Sequence, residues 1–182
     1  KLDGGTFWLS ATPEKAGSRS WNAACNRIVT WVKLKDKNSG EILFYFNTHF
    51  DHQSVLAREK SAELLKIRVH QIARQQQVIV TGDFNDNRKS QAYRILTEGD
   101  DKLSNTADQV VLKESNPDYS FIGFPFQKRH GEIIDFVFMK NMERWKPYTQ
   151  RIITYNVDGK YPSDHLPVLT EFSAIKNKKI KK

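Results

Sequence analysis

The chain has 182 residues, of which 38% are hydrophobic and 12% aromatic, enough to bury the core of one domain and too apolar for an intrinsically disordered chain. Its longest dense apolar run, "ILFYF" at Ile42 to Phe46, falls far short of the roughly 20 residues that a bilayer-spanning helix needs. The net charge of +8 invites contact with polyanions, but five of the lysines stand in the last seven residues, "KNKKIKK", leaving +3 on the rest, so a solvated basic end explains most of it.

A single cysteine, Cys25, excludes an internal disulfide framework and favours a reducing, cytoplasmic compartment. The chain starts at Lys1 without a methionine, so a processed or trimmed start is expected and a secreted protein stays open. Apolar and polar residues alternate on both sides of "DKNSG" in "NRIVTWVKLKDKNSGEILFYFNTHF", which predicts a β-hairpin turning at Gly40. From Ser54 to about Gln76 the period changes. Ala57, Ser61, Leu64, Leu65, Val69 and Ile72 recur three or four apart, which predicts an amphipathic helix. "QVIVTGD" reads as a short buried strand and "SQAYRILTEG" as a second helix closed by Gly99.

The stretch from Asp100 to Gly131 is irregular and rich in aromatics and turn formers, as long functional loops often are. "EIIDFVFMK" is a further predicted strand, with Asp135 inside it. "RIITYNV" reads as another strand, "DGKYPSDH" as a turn, and "LPVLTEF" as the last strand. The expected result is a β-rich α/β layered domain over residues 1–175, followed by a disordered basic tail over 176–182.

Three predicted strands meet polar groups of a matching kind. His49 closes "FYFNTHF", Asp83 and Asn85 close "VIVTGDFN", and Asp164 with His165 stands just before "LPVL". Strand ends are rigid places from which to present catalytic side chains. "GDFN" on its own also suits a plain turn, since Asp and Asn bond back to their own backbone. Asp135, amid "IIDFVF", needs a cationic or donor partner if buried, and His165 is the candidate.

"NTHFDH", "GDFN", "IDFVF" and "SDHLPV", in that order, resemble the endonuclease/exonuclease/phosphatase superfamily of deoxyribonuclease I-like phosphoesterases. "GTFWLSATPE" and "SWNAACNRIVTW" resemble its bacterial, largely uncharacterised branch. The resemblance implies a four-layered α/β sandwich, two packed β-sheets flanked by helices. It also implies a divalent metal, usually Mg²⁺ with Mn²⁺ as the alternative, and phosphate-ester hydrolysis by in-line attack of water.

Carried over residue by residue, the resemblance has Asp83 activate the water and contact the metal, with Asn85 holding the water or a phosphate oxygen. His165, supported by Asp135, donates to a phosphate oxygen. Asp164 contacts the metal or its waters, His49 flanks the phosphate as donor or acid, and Arg27 binds substrate phosphate. Asp51 and His52 stand beside His49 without an assigned role, and His70 and His130 read as structural.

The superfamily's first strands, which supply an Asn and a metal-binding Glu, have no counterpart before "KLDGGTFWLS". A longer protein, or an element from another polypeptide, is therefore expected to complete the site. The leading reading is a phosphodiesterase or nuclease. The runner-up is a phosphomonoesterase or a lipid or inositol phosphate hydrolase, and a polyanion-binding module without turnover is the reading of another class. Tyr119, Phe121, Phe124 and Phe126 could stack on a base or pack a lid.

Overall fold

The computed structural model describes residues 1–124 and 132–175. The basic tail, Phe126 and His130 lie outside the described residues. The predicted hairpin forms strands β2 (Ile28–Lys35) and β3 (Ile42–His49), paired antiparallel from Val29↔Thr48 to Lys35↔Ile42. Asp36 holds the turn by accepting the N–H groups of Asn38 and Ser39.

β4 (Gln77–Asp83) lies parallel to β3. Parallel neighbours need a crossover, and α1 (Val55–Ala73) supplies it. Ser54 caps α1 by accepting the Ala57 N–H at 3.1 Å. The helix stops short of Gln76 because Arg74 turns to φ 51° while its N–H bonds the His70 carbonyl. The second predicted helix forms as α2 (Gln91–Thr97), capped by Ser90 and followed by Gly99 at φ +70°.

β1 (Asp3–Trp8), β5 (Ser104–Asn105) and β6 (Asp135–Lys140) complete a six-stranded sheet in the order β1-β2-β3-β4-β6-β5. Its alternating apolar residues, Phe7, Val29, Phe44, Phe46, Val78, Val80, Phe136 and Phe138, face α1 and α2 and form one core with Ala62, Leu65, Val69, Ala92 and Leu96. β7 (Trp145–Ile152) and β8 (Val168–Ala174) form a second, small antiparallel sheet. The small sheet lies against the opposite face of the large one at the β6 end, where Thr106 donates to the Val137 carbonyl and its hydroxyl also meets Gln150 and Thr170.

One predicted strand is misplaced. "RIITYNV" enters a strand only through its first two residues, because the ladder ends at Ile152↔Val168. Pro167, just before Val168, has no N–H to extend the pairing. The strand instead runs back through Pro147, which the ladder accommodates at a register shift between Pro147 and Thr149, a bulge being where a proline is tolerated.

A further close approach positions the site. A Cβ at Gly82 would lie 2.2 Å from the Thr48 carbonyl oxygen, so only glycine lets β4 sit this close to β3 immediately before Asp83.

Candidate active site

Asp83 is the last residue of β4. It registers against His49, the last residue of β3, and against Asp135, the first residue of β6. The three side chains therefore emerge side by side on one face of the sheet. They form one rim of a cleft of about 430 Å³ that is also lined by Tyr45, Asn47, Thr81, Val137 and Val168.

His165 reaches this row from the loop before β8. The loop is fastened to the Ser120 segment: the Leu166 N–H bonds the Ser120 carbonyl, and the Ile122 and Gly123 N–H groups bond the Asp164 carbonyl. The Phe121 ring packs against the imidazole with centroids 4.9 Å apart. His165 Nδ1 lies 2.8 Å from Asp135 Oδ2, and its Nε2 lies 3.7 Å from Asp83 Oδ2. His49 Nε2 approaches the same Asp83 oxygen at 3.1 Å from the other side.

Two opposing effects act on Asp83. Burial would raise its carboxyl pKa, but the His49 hydrogen bond, the Asn85 N–H and the charges of both imidazoles outweigh burial and hold it below the usual carboxylate value. At neutral pH Asp83 is thus an anion between two imidazoles. His165 moves the opposite way. The Asp135 hydrogen bond raises its pKa against the opposing effect of burial, and the charges of Asp135, Asp83 and Asp164 add to the rise.

Ser120, fully buried, orients that pair. Its hydroxyl accepts the N–H groups of Ile134 and Asp135 at 3.0 and 3.2 Å and donates to Asp135 Oδ2 at 2.7 Å. No periodicity or motif in "NPDYSFIGF" distinguishes this serine from its neighbours, so its part is visible only in three dimensions.

In metal-free chain, changing Asp135 to Asn lowers the titration midpoint of His165, read from its imidazole NMR shifts. The sign follows from the raised pKa: the native imidazolium persists above the ordinary histidine value of 6.5, and without the carboxylate it deprotonates sooner as pH rises. Equal midpoints in the two proteins would break the proposed coupling.

The structure treats the other sequence candidates differently. Asn85 adopts φ 49°, donates its backbone N–H to Asp83 Oδ1 at 2.8 Å, and bonds the Phe50 carbonyl through Nδ2 at 3.0 Å. It holds Asp83 in place, with one amide hydrogen left over. The carboxylate of Asp164 contacts the Ser163 hydroxyl at 3.4 Å and lies outside the tight Asp83, Asp135 and His165 group. Arg27 contacts none of these groups within hydrogen-bonding distance. Its guanidinium meets His52 Nδ1 at 3.3 Å. His70 pairs with Asp101 at 2.9 Å, apart from the cluster.

Asp51 is 1% exposed. Its carboxylate accepts four backbone N–H groups, from Ala24, Cys25, Gln53 and Ser54. The Ser54 hydroxyl donates to the Trp21 carbonyl at 2.8 Å, so the start of α1 and the loop before β2 are tied together beside the site.

Ligand atoms of Asp83, Asp135 and His165 lie within 4.8 Å of one another and could hold a metal ion. Asp135 and the His165 ring are already engaged with each other and with Ser120. Asp83 is the oxygen donor best placed for a hard cation. A hard divalent cation binds through one or two carboxylates, with waters and substrate phosphate oxygens completing the shell, and the donors present here fit that mode.

The pattern of the Endonuclease/Exonuclease/phosphatase family matches residues 4–165. The chain belongs to that family. It is 34% identical to an endonuclease/exonuclease/phosphatase of Bacteroides vulgatus, whose crystal structure superposes with a TM-score of 0.86 over 96% of this chain and 66% of that one. A mannosyl-6-phosphatase of Bacteroides thetaiotaomicron is 27% identical, with a TM-score of 0.82 over 94% of this chain and 66% of that one. The RNA exonuclease NGL1 of Saccharomyces cerevisiae is 25% identical over 181 residues, 82% of this chain and 50% of that protein. The chain thus spans between half and two thirds of the lengths of these relatives.

Proposed function

We propose that the protein hydrolyses phosphate esters with the help of Mg²⁺, or Mn²⁺ in its place, and that its substrate is a phosphodiester, with nucleic acid the leading class. The observation that carries this reading is the row His49, Asp83, Asp135, with His165 closing over it. One carboxylate stands between two imidazoles at the rim of an open cleft. Phosphoryl transfer needs positioning and charge neutralisation more than covalent help, and this arrangement offers both.

Asp83 accepts a proton from the water that it orients, and Asn85 fixes the carboxylate for that task. His165, kept protonated by Asp135, donates to a non-bridging phosphate oxygen. His49 donates on the other flank or protonates the leaving oxygen. A divalent ion beside Asp83, with Asp164 near its waters, would supply Lewis-acid polarisation of the phosphate. Further protein, from the same polypeptide or another, is proposed to contribute the remaining metal ligand.

The test is a panel of phosphate mono- and diesters assayed with Mg²⁺, with Mn²⁺ and with EDTA. Diester turnover that EDTA abolishes supports the reading. The mannosyl-6-phosphatase among the similar structures keeps a monoesterase in view, so turnover of monoesters alone would shift the reading to a phosphomonoesterase. Binding of polyanions with no turnover of any ester, in the full-length protein, would replace it with a binding module.

A further inference from the structure

We infer that Arg58 and Asp86, an ion pair behind the reaction row, hold the loops that follow His49 and Asp83 at their working separation, and that both are positioning residues for the reaction. This rests on the phosphoesterase reading above and adds to it two residues that do not meet the substrate.

Arg58 stands where helix rules disfavour a cation. It is the fourth residue of α1, near the positive end of the helix dipole, and it is among the buried residues of that helix. Among the described residues, Asp51 and Arg58 are the two that are both charged and buried. A buried guanidinium is costly unless it is paired and hydrogen-bonded, and packed apolar side chains often serve stability as well as such a pair. Stability alone therefore gives little reason for an arginine here. The reason lies in what the guanidinium joins.

Its Nε donates to Asp86 Oδ2 at 3.0 Å, and its Nη1 donates to the Asp51 carbonyl at 3.1 Å. Asp51 lies two residues beyond His49 at the end of β3, and Asp86 lies three residues beyond Asp83 at the end of β4. One planar group thus spans the two loops that leave a pair of parallel strands side by side. The other Asp86 oxygen accepts the Asn87 N–H at 3.2 Å, so the carboxylate is held from both sides. An arginine suits this bridge because its rigid fork fixes direction as well as charge.

Between the reaction row and Arg58 the same two loops are joined twice more. Phe50 and Phe84, each one residue past a member of the row, turn into the core and meet edge to face at 4.9 Å. Asn85 bonds the Phe50 carbonyl through Nδ2 and, at φ 49°, gives its backbone N–H to Asp83 Oδ1. A left-handed asparagine persists where its surroundings fix it, and the grip on Asp86 fixes the residue that follows it. Released on that side, Asn85 relaxes toward right-handed conformations and its N–H leaves Asp83. Neither Arg58 nor Asp86 lines the cleft, so their influence on the reaction passes through Asp83, Asn85 and His49.

The test assays Arg58→Ala, Asp86→Asn and the double variant as full-length protein in Mg²⁺. The substrate is whichever of p-nitrophenyl phosphate and the p-nitrophenyl ester of thymidine 5′-phosphate the native protein cleaves. Each single change lowers kcat about tenfold, because a displacement of about 1 Å at reacting groups can cost about 10²-fold. KM stays within about twofold of native, because no contact with substrate is removed. The double variant is no slower than Arg58→Ala, because the two side chains act as one unit. A native kcat in Asp86→Asn overturns the inference, as does a loss carried by KM or a double variant whose loss is the product of the two single losses. If Arg58→Ala does not fold, Asp86→Asn, which keeps the side chain's shape and its Asn87 contact, carries the test.

Amide hydrogen exchange in the metal-free protein judges the inference even if no ester is cleaved and the hydrolase reading fails. In Asp86→Asn the Asn85 N–H exchanges about tenfold faster, while Leu65 and Val69 in the middle of α1 keep their native rates. Acceleration at all three alike would make the pair a support of the whole domain and overturn the inference, and so would an unchanged rate at Asn85.

Discussion

Replacing Asp83 by Asn in the full-length protein is expected to lower kcat for the proposed metal-supported phosphoester hydrolysis by at least about 10²-fold, the scale on which a positioned general base contributes, while the domain stays folded. The new side chain has nearly the same shape and can still accept the Asn85 N–H. The difference lies at the second oxygen. Asp83 Oδ2 faces the Nε2 atoms of both His49 and His165, so an amide NH₂ there would set donor against donor and remove the anion that the two imidazoles share. Loss of that anion also takes away the oxygen best placed for a divalent ion. Rates measured at saturating substrate, with urea unfolding as a control on the fold, decide the matter. If the variant keeps a tenth or more of the native kcat, Asp83 is not the base.

Replacing Asp51 by Ala costs about 3–5 kcal/mol of stability at neutral pH, because buried N–H groups left without an acceptor each lose about 1–3 kcal/mol and entering water recovers part of that. Four such groups converge on this one carboxylate. The effect depends on pH in a definite direction. Burial would raise the Asp51 carboxyl, but the N–H groups of Ser54, Cys25, Gln53 and Ala24 together hold its pKa below the ordinary aspartate value of 3.8.

A depressed folded-state pKa contributes stability that is fully present above the unfolded value and is lost as pH falls through the folded one. Urea midpoints of native protein and variant should therefore differ most near neutrality and converge in acid. A gap that stays constant down to about pH 2 would mean that the ionised carboxylate is not what holds the loop, since an Asp with an unfolded pKa of about 3.9 is by then largely protonated in the denatured state.

Much of the architecture was legible because it follows from short-range patterning. The hairpin around Gly40 shows a period of two and α1 a period near 3.6, each the mark of one face turned to a core. Where composition masked the period, the reading failed. β1 carries two adjacent glycines, which contribute no side chain to an alternating pattern. β7 is interrupted by Pro147, and only the bulge in the ladder lets the strand pass through it. The roles of Ser120 and Asp51 were likewise hidden, because a serine or an aspartate in a loop looks the same whether it holds a network together or faces water.

For the site, the sequence by itself determined which chemistry is present: the acids, imidazoles and amide at strand ends, in an order that resembles a known family. Only the tertiary structure decided which of them meet. β4 runs parallel to β3 and antiparallel to β6, so the end of two strands and the start of a third coincide at His49, Asp83 and Asp135. Side chains in register on neighbouring strands point to the same face, and a register shifted by one residue would have sent any of the three into the helix-covered core. The same long-range pairing carries Arg27 to His52 rather than to Asp83. No local pattern encodes that choice, because it depends on which strands become neighbours and on the burial that the packed sheet then imposes.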